Sequence, residues 1–229
     1  MALYALGDLH LSLNSNKSME IFGDGWQDYV SRLKDAFSAL RPEDVTVLCG
    51  DLSWGMSLEE SLEDFRFIDA LPGKKYLLKG NHDYWWNTAA KMERFFREHE
   101  LTTMEILHNN CKFYGELALC GTRGWFYELD NQGTHDEKVL LREIGRLESS
   151  LKAAGEHEKL VFLHYPPLYQ GYRCQEIIDL MKRYGVTRCY YGHLHGGSHR
   201  LAVSGDQDGV EYHLVAADYL GFKPELILP

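Results

Sequence analysis

Five short apolar segments of this chain are each followed directly by side chains that can bind metal ions or transfer protons. The segments read ALYALGDLH, DVTVLCGD, YLLKGNHD, KLVFLH and RCYYGHLHG. The polar residues at their ends are Asp8, His10, Asp51, Asn81, His82, Asp83, His164, His193 and His195. In all but the fourth segment a glycine comes immediately before the first polar residue, as is typical of tight strand-to-loop turns. Runs of this length and composition predict buried β-strands.

Segments with helical periodicity lie between these strands. Apolar residues recur at spacings of three and four over residues 26–40, and Pro42 ends the pattern. Ser57 and Glu60 form a capping-box pattern ahead of the next apolar run, which predicts a second helix. Three further helices are predicted over residues 88–99, 136–153 and 176–184.

The predicted strands are residues 3–6, 45–49, 76–78, 117–120, 160–163 and 188–191, with a late hairpin turning at Asp208 and Gly209. Alternation of strands and helices predicts an α/β core with mixed sheets. The chain has 229 residues and no repeat or linker-like segment, so residues 1–229 are predicted to form a single domain. Ligands bind outside the carboxyl ends of strands in open α/β sheets, so the polar residues are expected to meet at one edge.

Composition argues against several classes of protein. No run of about 18 apolar residues is present, so no membrane span is predicted. The first residues lack the basic and apolar regions of a secretory signal, and the five cysteines are odd in number and widely spread, which favours a reduced cytoplasmic protein. A formal charge of −10 without a basic cluster makes nucleic acid an unlikely partner and favours a small phosphorylated or otherwise anionic substrate.

Taken together and in this order, the motifs G-D-x-H, G-D, G-N-H-D, H and G-H-x-H resemble the signature of the calcineurin-like metallophosphoesterase superfamily. The similarity runs from Leu3 to about Leu220 and is closest to the small phosphoesterases of bacterial type. It implies a four-layer α/β/β/α sandwich, in which helices flank two mixed sheets. It says little about the substrate.

The resemblance also implies a site for two divalent transition-metal ions, at which a bridging hydroxide attacks phosphorus. One ion would be held by Asp8, His10, Asp51 and His195, and the other by Asp51, Asn81, His164 and His193. Asp51 would therefore bridge the two ions. Mixed oxygen and nitrogen ligands suit manganese, iron, zinc, cobalt or nickel, with manganese or iron favoured.

Three more residues have expected roles beside the metals. His82 is the expected general acid for the leaving oxygen, and Asp83 either orients His82 or caps the loop. Arg123, in the segment LALCGTRGW, either clamps a phosphate oxygen or forms a surface ion pair. The neighbouring aromatic residues either stack on a ring of the substrate or belong to the core; they are Trp54, Tyr84, Trp85, Trp86 and Trp125.

The predicted activity is therefore hydrolysis of a small phosphodiester or phosphomonoester. The protein phosphatases of the superfamily carry an arginine in the second motif that GDLSWG lacks, and its repair nucleases bring a basic surface that this chain lacks. The alternatives that remain are a nuclease, a non-catalytic metal-binding scaffold and a metal-binding regulator. Asp218 is expected either to assist the site or to cap a turn.

Overall fold

Two mixed β-sheets form the centre of the structure, a computed structural model that describes residues 1–14, 17–125 and 134–229. Within these residues the strands are β1 (Leu3–Leu6), β2 (Val45–Leu48), β3 (Lys74–Leu77), β4 (Met104–Ile106), β5 (Cys111–Tyr114), β6 (Leu117–Thr122), β7 (Glu158–Leu163), β8 (Leu168–Tyr169), β9 (Tyr172–Arg173), β10 (Arg188–Tyr191), β11 (Gly205–Gln207), β12 (Val210–Leu214) and β13 (Glu225–Leu228). The helices are α1 (Tyr29–Phe37), α2 (Leu62–Ala70), α3 (Ala89–Glu98), α4 (Thr134–Ala153) and α5 (Gln175–Arg183). None of the helices in this part of the chain is long and apolar enough to cross a membrane.

Each sheet has a parallel centre and an antiparallel edge. The first sheet has the order β13-β1-β2-β3-β4, in which β1 to β4 are parallel and β13 is antiparallel to β1. The second has the order β11-β12-β10-β7-β6-β5, in which β11 and β5 are the antiparallel edge strands. The predicted α/β fold with mixed sheets is therefore confirmed.

The strands alternate their side chains between two apolar layers, as the period of two in a β-strand requires. Leu160 and Phe162 of β7 lie in the layer between the sheets, whereas Val161 and Leu163 pack beneath α4 and α5. On the other side of the molecule, the outer face of the first sheet is covered by α1, α2 and α3. The order of layers is helix, sheet, sheet and helix, which confirms the four-layer sandwich.

Several element boundaries differ from those predicted. Helix α1 begins at Tyr29 because residues 24–26 form a separate 3₁₀ turn. The backbone N–H of Glu60 does donate to Ser57 Oγ at 3.2 Å, but this contact closes a turn, and α2 begins only at Leu62. The predicted hairpin is found, with positive φ at both Asp208 and Gly209.

The two sheets meet at the carboxyl ends of their central strands. The N–H of Gly7, after β1, donates to Val215 O at 2.7 Å, beyond the end of β12. His164, after β7, lies with its Nδ1 atom 3.0 Å from the carbonyl oxygen of Cys49, after β2. These contacts tie the strand ends of one sheet to those of the other, so the polar residues that follow them share one surface.

Candidate metal centre

The first group of possible metal ligands lies between the ends of β1 and β10. Asp8, His10 and His195 have ligand atoms that all lie within 4.8 Å of one another. His195 Nε2 is 3.2 Å from His10 Nε2 and 3.3 Å from Asp8 Oδ1. All three residues were expected from the sequence to bind the same metal ion.

The second group forms around Asn81, after β3. Asn81 Oδ1 is 2.7 Å from His164 Nε2 and 3.0 Å from His193 Nδ1. His164 Nε2 is also 3.5 Å from Asp51 Oδ2. Asn81, His164, His193 and Asp51 are the four residues of the second predicted set, and the structure brings them together.

Two carboxylates lie between these groups. Asp51 Oδ2 is 3.7 Å from His10 Nε2, in addition to its contact with His164. Asp8 also joins the two sides, since it lies within 4.8 Å of His10 and His195 and, in a second cluster, of Asp51 and His164. The sequence prediction assigned the shared position to Asp51 alone, whereas in this geometry both aspartates contact both sides.

The contacts of His164 are chemically consistent with a bound cation. A carbonyl oxygen only accepts, so the Cys49 carbonyl receives the proton of His164 Nδ1 and leaves a lone pair on Nε2. Burial lowers the pKa of His164 to about 3, so the ring is neutral at physiological pH. The Nε2 lone pair then faces the acceptor Asn81 Oδ1 at 2.7 Å, an arrangement that a cation between them would stabilise.

Two further histidines are held in the neutral form that binds metals. Burial lowers the pKa of His193 to about 3, and burial together with neighbouring histidines, His195 first, lowers the pKa of His10 well below its ordinary value. The pKa of His195 rises to about 10, because the carboxylates of Asp8 and Asp218 outweigh the opposing effect of burial. The Nε2 atoms of His10 and His195 are close enough for a hydrogen bond, so one of them must carry a proton. A cation bound by both nitrogen atoms would replace that proton.

Asp51 is also in an environment that favours a cation. Burial and the nearby carboxylates of Asp83 and Asp8 raise the pKa of Asp51 well above its ordinary value. Three carboxylates in such a small volume repel one another unless positive charge is bound between them. The donor set of carboxylate, amide and imidazole groups fits divalent transition metals.

Several ligand residues adopt a backbone conformation that L-amino acids usually avoid. The φ angle is 62° at Asp8, 45° at His10, 53° at Asp51 and 75° at His193. This left-handed region costs roughly 1–2 kcal/mol for a residue with a side chain. Such strain is concentrated at functional sites, where the surrounding structure maintains it.

Glycines allow the strand ends to approach the two aspartates. A Cβ atom on Gly80 would lie 2.0 Å from Asp51 Oδ1, and one on Gly192 would lie 2.3 Å from Asp8 Oδ2. The glycines before Asn81 and His193 are therefore required by close packing against the carboxylates.

Asp83 contacts the backbone of the loop that carries Asp51. Its carboxylate accepts N–H groups from Asp51 at 2.9 Å, Leu52 at 2.8 Å and Gly80 at 2.7 Å, and the indole N–H of Trp85 at 3.0 Å. Both oxygens are directed at these donors rather than at the ring of His82, which favours the second of the two expected roles, capping of the loop. Asp83 therefore positions Asp51.

His82 lies at the side of the centre, half-buried. Its backbone N–H donates to Asp51 Oδ1 at 2.7 Å, and its ring centroid is 4.5 Å from that of Trp54 and 5.7 Å from that of His10. Its Nδ1 atom is buried and accepts or donates no hydrogen bond within the described ranges of the chain. Burial and the charge of His195 lower the pKa of His82.

Arg123 follows β6 and lies outside both ligand groups. Its guanidinium is 3.5 Å from the buried carboxylate of Glu143 and 5.0 Å from the ring centroid of Trp125. Its carbonyl oxygen accepts the N–H of His164 at 3.1 Å, which ties this strand end to a predicted ligand. Arg123 is therefore in a partly buried ion pair, and its charge also acts on His164.

The aromatic residues of the motifs have different environments. Trp85 is fully buried against Phe65, so it belongs to the core. Trp54 is partly exposed and stacks on His10 with ring centroids 5.1 Å apart, while Tyr84 is 54% exposed. Only the last two present a ring beside His82.

The sequence left two roles open for Asp218, assisting the site or capping a turn. Its carboxylate lies 2.9 Å from His195 Nδ1 and 3.1 Å from His199 Nε2, and it accepts the N–H of Gly196 at 3.0 Å. A carboxylate on the far nitrogen of a metal-binding histidine fixes the orientation of the ring. The only sequence signal for this role is that Asp218 follows the apolar run after β12, as the other site residues follow their strands.

Comparisons with known proteins identify the family of this chain. The sequence profile described as calcineurin-like phosphoesterase matches residues 1–197. The human (Homo sapiens) tartrate-resistant acid phosphatase type 5 is 25% identical over 219 residues, which cover 88% of this chain; the chain spans 63% of the length of that relative.

Solved structures share the fold. The phosphopantetheinyl hydrolase of Mycobacterium tuberculosis matches with a TM-score of 0.61 and 14% identity, over 100% of this chain and 96% of that one. A protein of unknown function from Aquifex aeolicus matches with a TM-score of 0.51 and 14% identity, over 98% of this chain and 95% of that one. At these identities the two structures support the fold alone.

Proposed function

Because the chain belongs to the calcineurin-like phosphoesterase family, we propose that it hydrolyses a small phosphate ester at a centre of two divalent metal ions. The observation that carries this proposal is the convergence of carboxylate, amide and imidazole donors from five strand ends, in two adjoining groups.

In this proposal Asp8, His10 and His195 would hold one ion, and Asn81, His164 and His193 would hold the other. Asp51, which lies between the two groups, would contribute to both. When bound, such ions polarise phosphoryl oxygens and lower the pKa of water, so that a nucleophile is available near neutral pH. Manganese or iron is favoured by the mixed oxygen and nitrogen donors.

His82 donates a proton to the leaving oxygen. The buried and unpartnered Nδ1 atom, the packing against Trp54 and the anchoring of its backbone N–H on Asp51 support this role. Together they hold the ring at a fixed distance from the metal ligands without using up its hydrogen-bonding capacity. A general acid needs this combination of fixed position and free polar atom.

Arg123 binds a phosphate oxygen. Glu143 holds one edge of its guanidinium, while its buried Nε atom has no hydrogen-bond partner among the residues that the structure describes. A guanidinium that keeps free donors beside a metal centre is suited to an anionic group. The name of the human relative, an acid phosphatase, favours a monoester over a diester.

The proposal is tested with manganese-loaded protein, p-nitrophenyl phosphate and bis(p-nitrophenyl) phosphate. We expect hydrolysis of at least one of these esters, with the ratio of the two kcat/KM values showing whether monoesters or diesters are preferred. Asp51→Asn is expected to lower kcat at least about a hundredfold, since it removes a shared ligand. Asp35→Asn, a change of the same kind at an exposed position, is the matched control.

Two results would contradict this function. Metal-loaded protein that hydrolyses neither ester would favour a metal-binding scaffold or regulator. Full turnover by the Asp51→Asn variant would show that any hydrolysis observed does not take place at this centre.

A further inference from the structure

A cluster of basic side chains lies beside the metal centre and has no role in the reaction described above, apart from Arg123. It consists of Lys79, after β3, Arg123, after β6, and Arg146 of α4, and we call it the cationic cluster. His108, after β4, also lies within reach of the charges of these residues. On a chain with a formal charge of −10, this local excess of positive charge is unusual.

A single buried carboxylate holds the two arginines of the cluster. Glu143 is fully buried, and its Oε1 atom accepts from Arg146 Nη1 at 2.5 Å and lies 3.5 Å from Arg123 Nη2. Its other oxygen accepts the hydroxyl of Thr122 at 2.9 Å. Both guanidinium groups are therefore fixed in place, and each retains N–H groups that Glu143 does not use.

Lys79 is the least compensated member of the cluster. It is half-buried, and it forms no ion pair in the part of the chain that the structure describes. It follows Leu78, whose Cδ2 atom would lie 3.1 Å from a Cβ atom on Gly121, two residues before Arg123. Lys79, Arg123 and Arg146, after burial, lower the pKa of His108 to about 4. Glu143 and Asp83 are the carboxylates that act on this cluster, so two negative charges face three crowded cations, which favours a bound anion.

The cluster adjoins the reaction site. Lys79 is separated from Asn81 only by Gly80, and the carbonyl of Arg123 accepts the N–H groups of His164 at 3.1 Å and Tyr165 at 2.9 Å. Lys79 follows β3, the strand that leads to Asn81. Arg123 follows β6, which pairs with β7, the strand that leads to His164.

We propose that the cationic cluster binds a second phosphate group of the substrate, distinct from the one that is hydrolysed at the metal centre. This inference rests on the proposed function. Fixed guanidinium groups and a lysine together provide the charge and the N–H donors that a phosphate dianion requires. A substrate with two phosphates would place one at the metals and the other between Lys79 and Arg146, with the guanidinium of Arg123 donating to both.

The test uses two ligands that cannot be hydrolysed and differ only in the second anion. Propylphosphonate and propane-1,3-bisphosphonate are titrated into manganese-loaded protein by calorimetry. We expect the bisphosphonate to bind about tenfold or more tightly than the monophosphonate. Lys79→Met should remove most of this preference, because it deletes a cation that forms no ion pair with any residue the structure describes.

Further variants separate the subsite from general effects on the fold. Arg146→Gln should also reduce the preference, and Lys152→Met, an exposed lysine on the same helix, should keep it. Equal binding of the two phosphonates by the unchanged protein, or a full preference in both Lys79→Met and Arg146→Gln, would overturn the inference. A preference that depends on Lys79, in a protein that hydrolyses neither nitrophenyl ester, would support the subsite and refute only the proposed reaction.

Discussion

Asp83 Oδ2 accepts the backbone N–H of Asp51 at 2.9 Å, and the same oxygen accepts the N–H of Gly80 at 2.7 Å. One buried carboxylate therefore joins the loop that carries Asp51 to the loop that carries Asn81. The relative position of these two predicted ligands depends on a residue that itself contacts backbone and core.

Asp83→Asn tests this connection. The amide offers one acceptor oxygen where the carboxylate offers two, and its NH₂ group faces backbone donors. We expect a loss of about 2 kcal/mol in the free energy of unfolding and weaker manganese binding. Thermal unfolding with and without manganese measures both, with Asp35→Asn as the control. Unchanged unfolding and unchanged affinity would show that Asp83 does not position Asp51.

Asp218→Asn tests the orientation of His195. The variant weakens the contact with His195 Nδ1, which lies 2.9 Å from Asp218. We expect manganese affinity to fall about ten- to a hundredfold. Calorimetric titration with manganese measures the affinity. Equal affinities in the variant and the unchanged protein would rule out this role.

Gly80→Ala tests the close packing of the loop after β3 against Asp51. The new methyl group would lie 2.0 Å from Asp51 Oδ1, so the carboxylate must move. We expect loss of most hydrolytic activity and a lower melting temperature. Gly197→Ala is the matched control, since nothing lies within 4 Å of a Cβ atom there. Comparable activity in the two variants would contradict the prediction.

Lys75 provides a test away from the metal centre. Its side chain is fully buried, and Nζ donates to the carbonyl oxygens of Leu71 at 2.6 Å, Gly73 at 2.8 Å and Asp69 at 3.2 Å. These donors satisfy carbonyl groups at and beyond the end of α2. Lys75→Met leaves them unpaired, and we expect a loss of about 1–3 kcal/mol in the free energy of unfolding.

The same variant makes a prediction about pH. Burial lowers the pKa of Lys75 from 10.5 to about 8, so between these values the unfolded chain binds more protons than the folded protein. The free energy of unfolding of the unchanged protein should therefore rise with pH over this range, relative to that of Lys75→Met. Urea unfolding of both proteins at several pH values measures the difference. A difference that stays constant or falls with rising pH would contradict the assignment.

The strands that lead into the candidate metal centre were predictable, whereas the outer strands β4, β5 and β13 were not. The predicted boundaries of β1 and β10 match the structure, because both are short, mostly apolar runs that end in polar motifs. β4 is only three residues long, and β5 and β13 are partly exposed edge strands without a clear period of two. The pairing partner, rather than the local sequence, determines such strands.

The predicted ligand residues could be found because each directly follows a strand. Asp218 follows an apolar run as the predicted ligands do, but its partner His195 comes from another element, as does Arg123, the partner of Glu143. Adjacency in sequence was a poor guide for Asp83. Its carboxylate points at the backbone donors across the turn, although it follows His82 directly in the chain.

At the candidate ligand positions, the left-handed backbone conformation that places the side chains also lowers the stability of the fold. His10 and His193 have φ angles of 45° and 75°, a conformation that glycine adopts without penalty. Replacing either with glycine would relieve roughly 1–2 kcal/mol of strain while removing a ligand. A selection for thermal resistance in the absence of metal would therefore enrich inactive sequences at these positions, whereas a selection with metal present would retain the histidines.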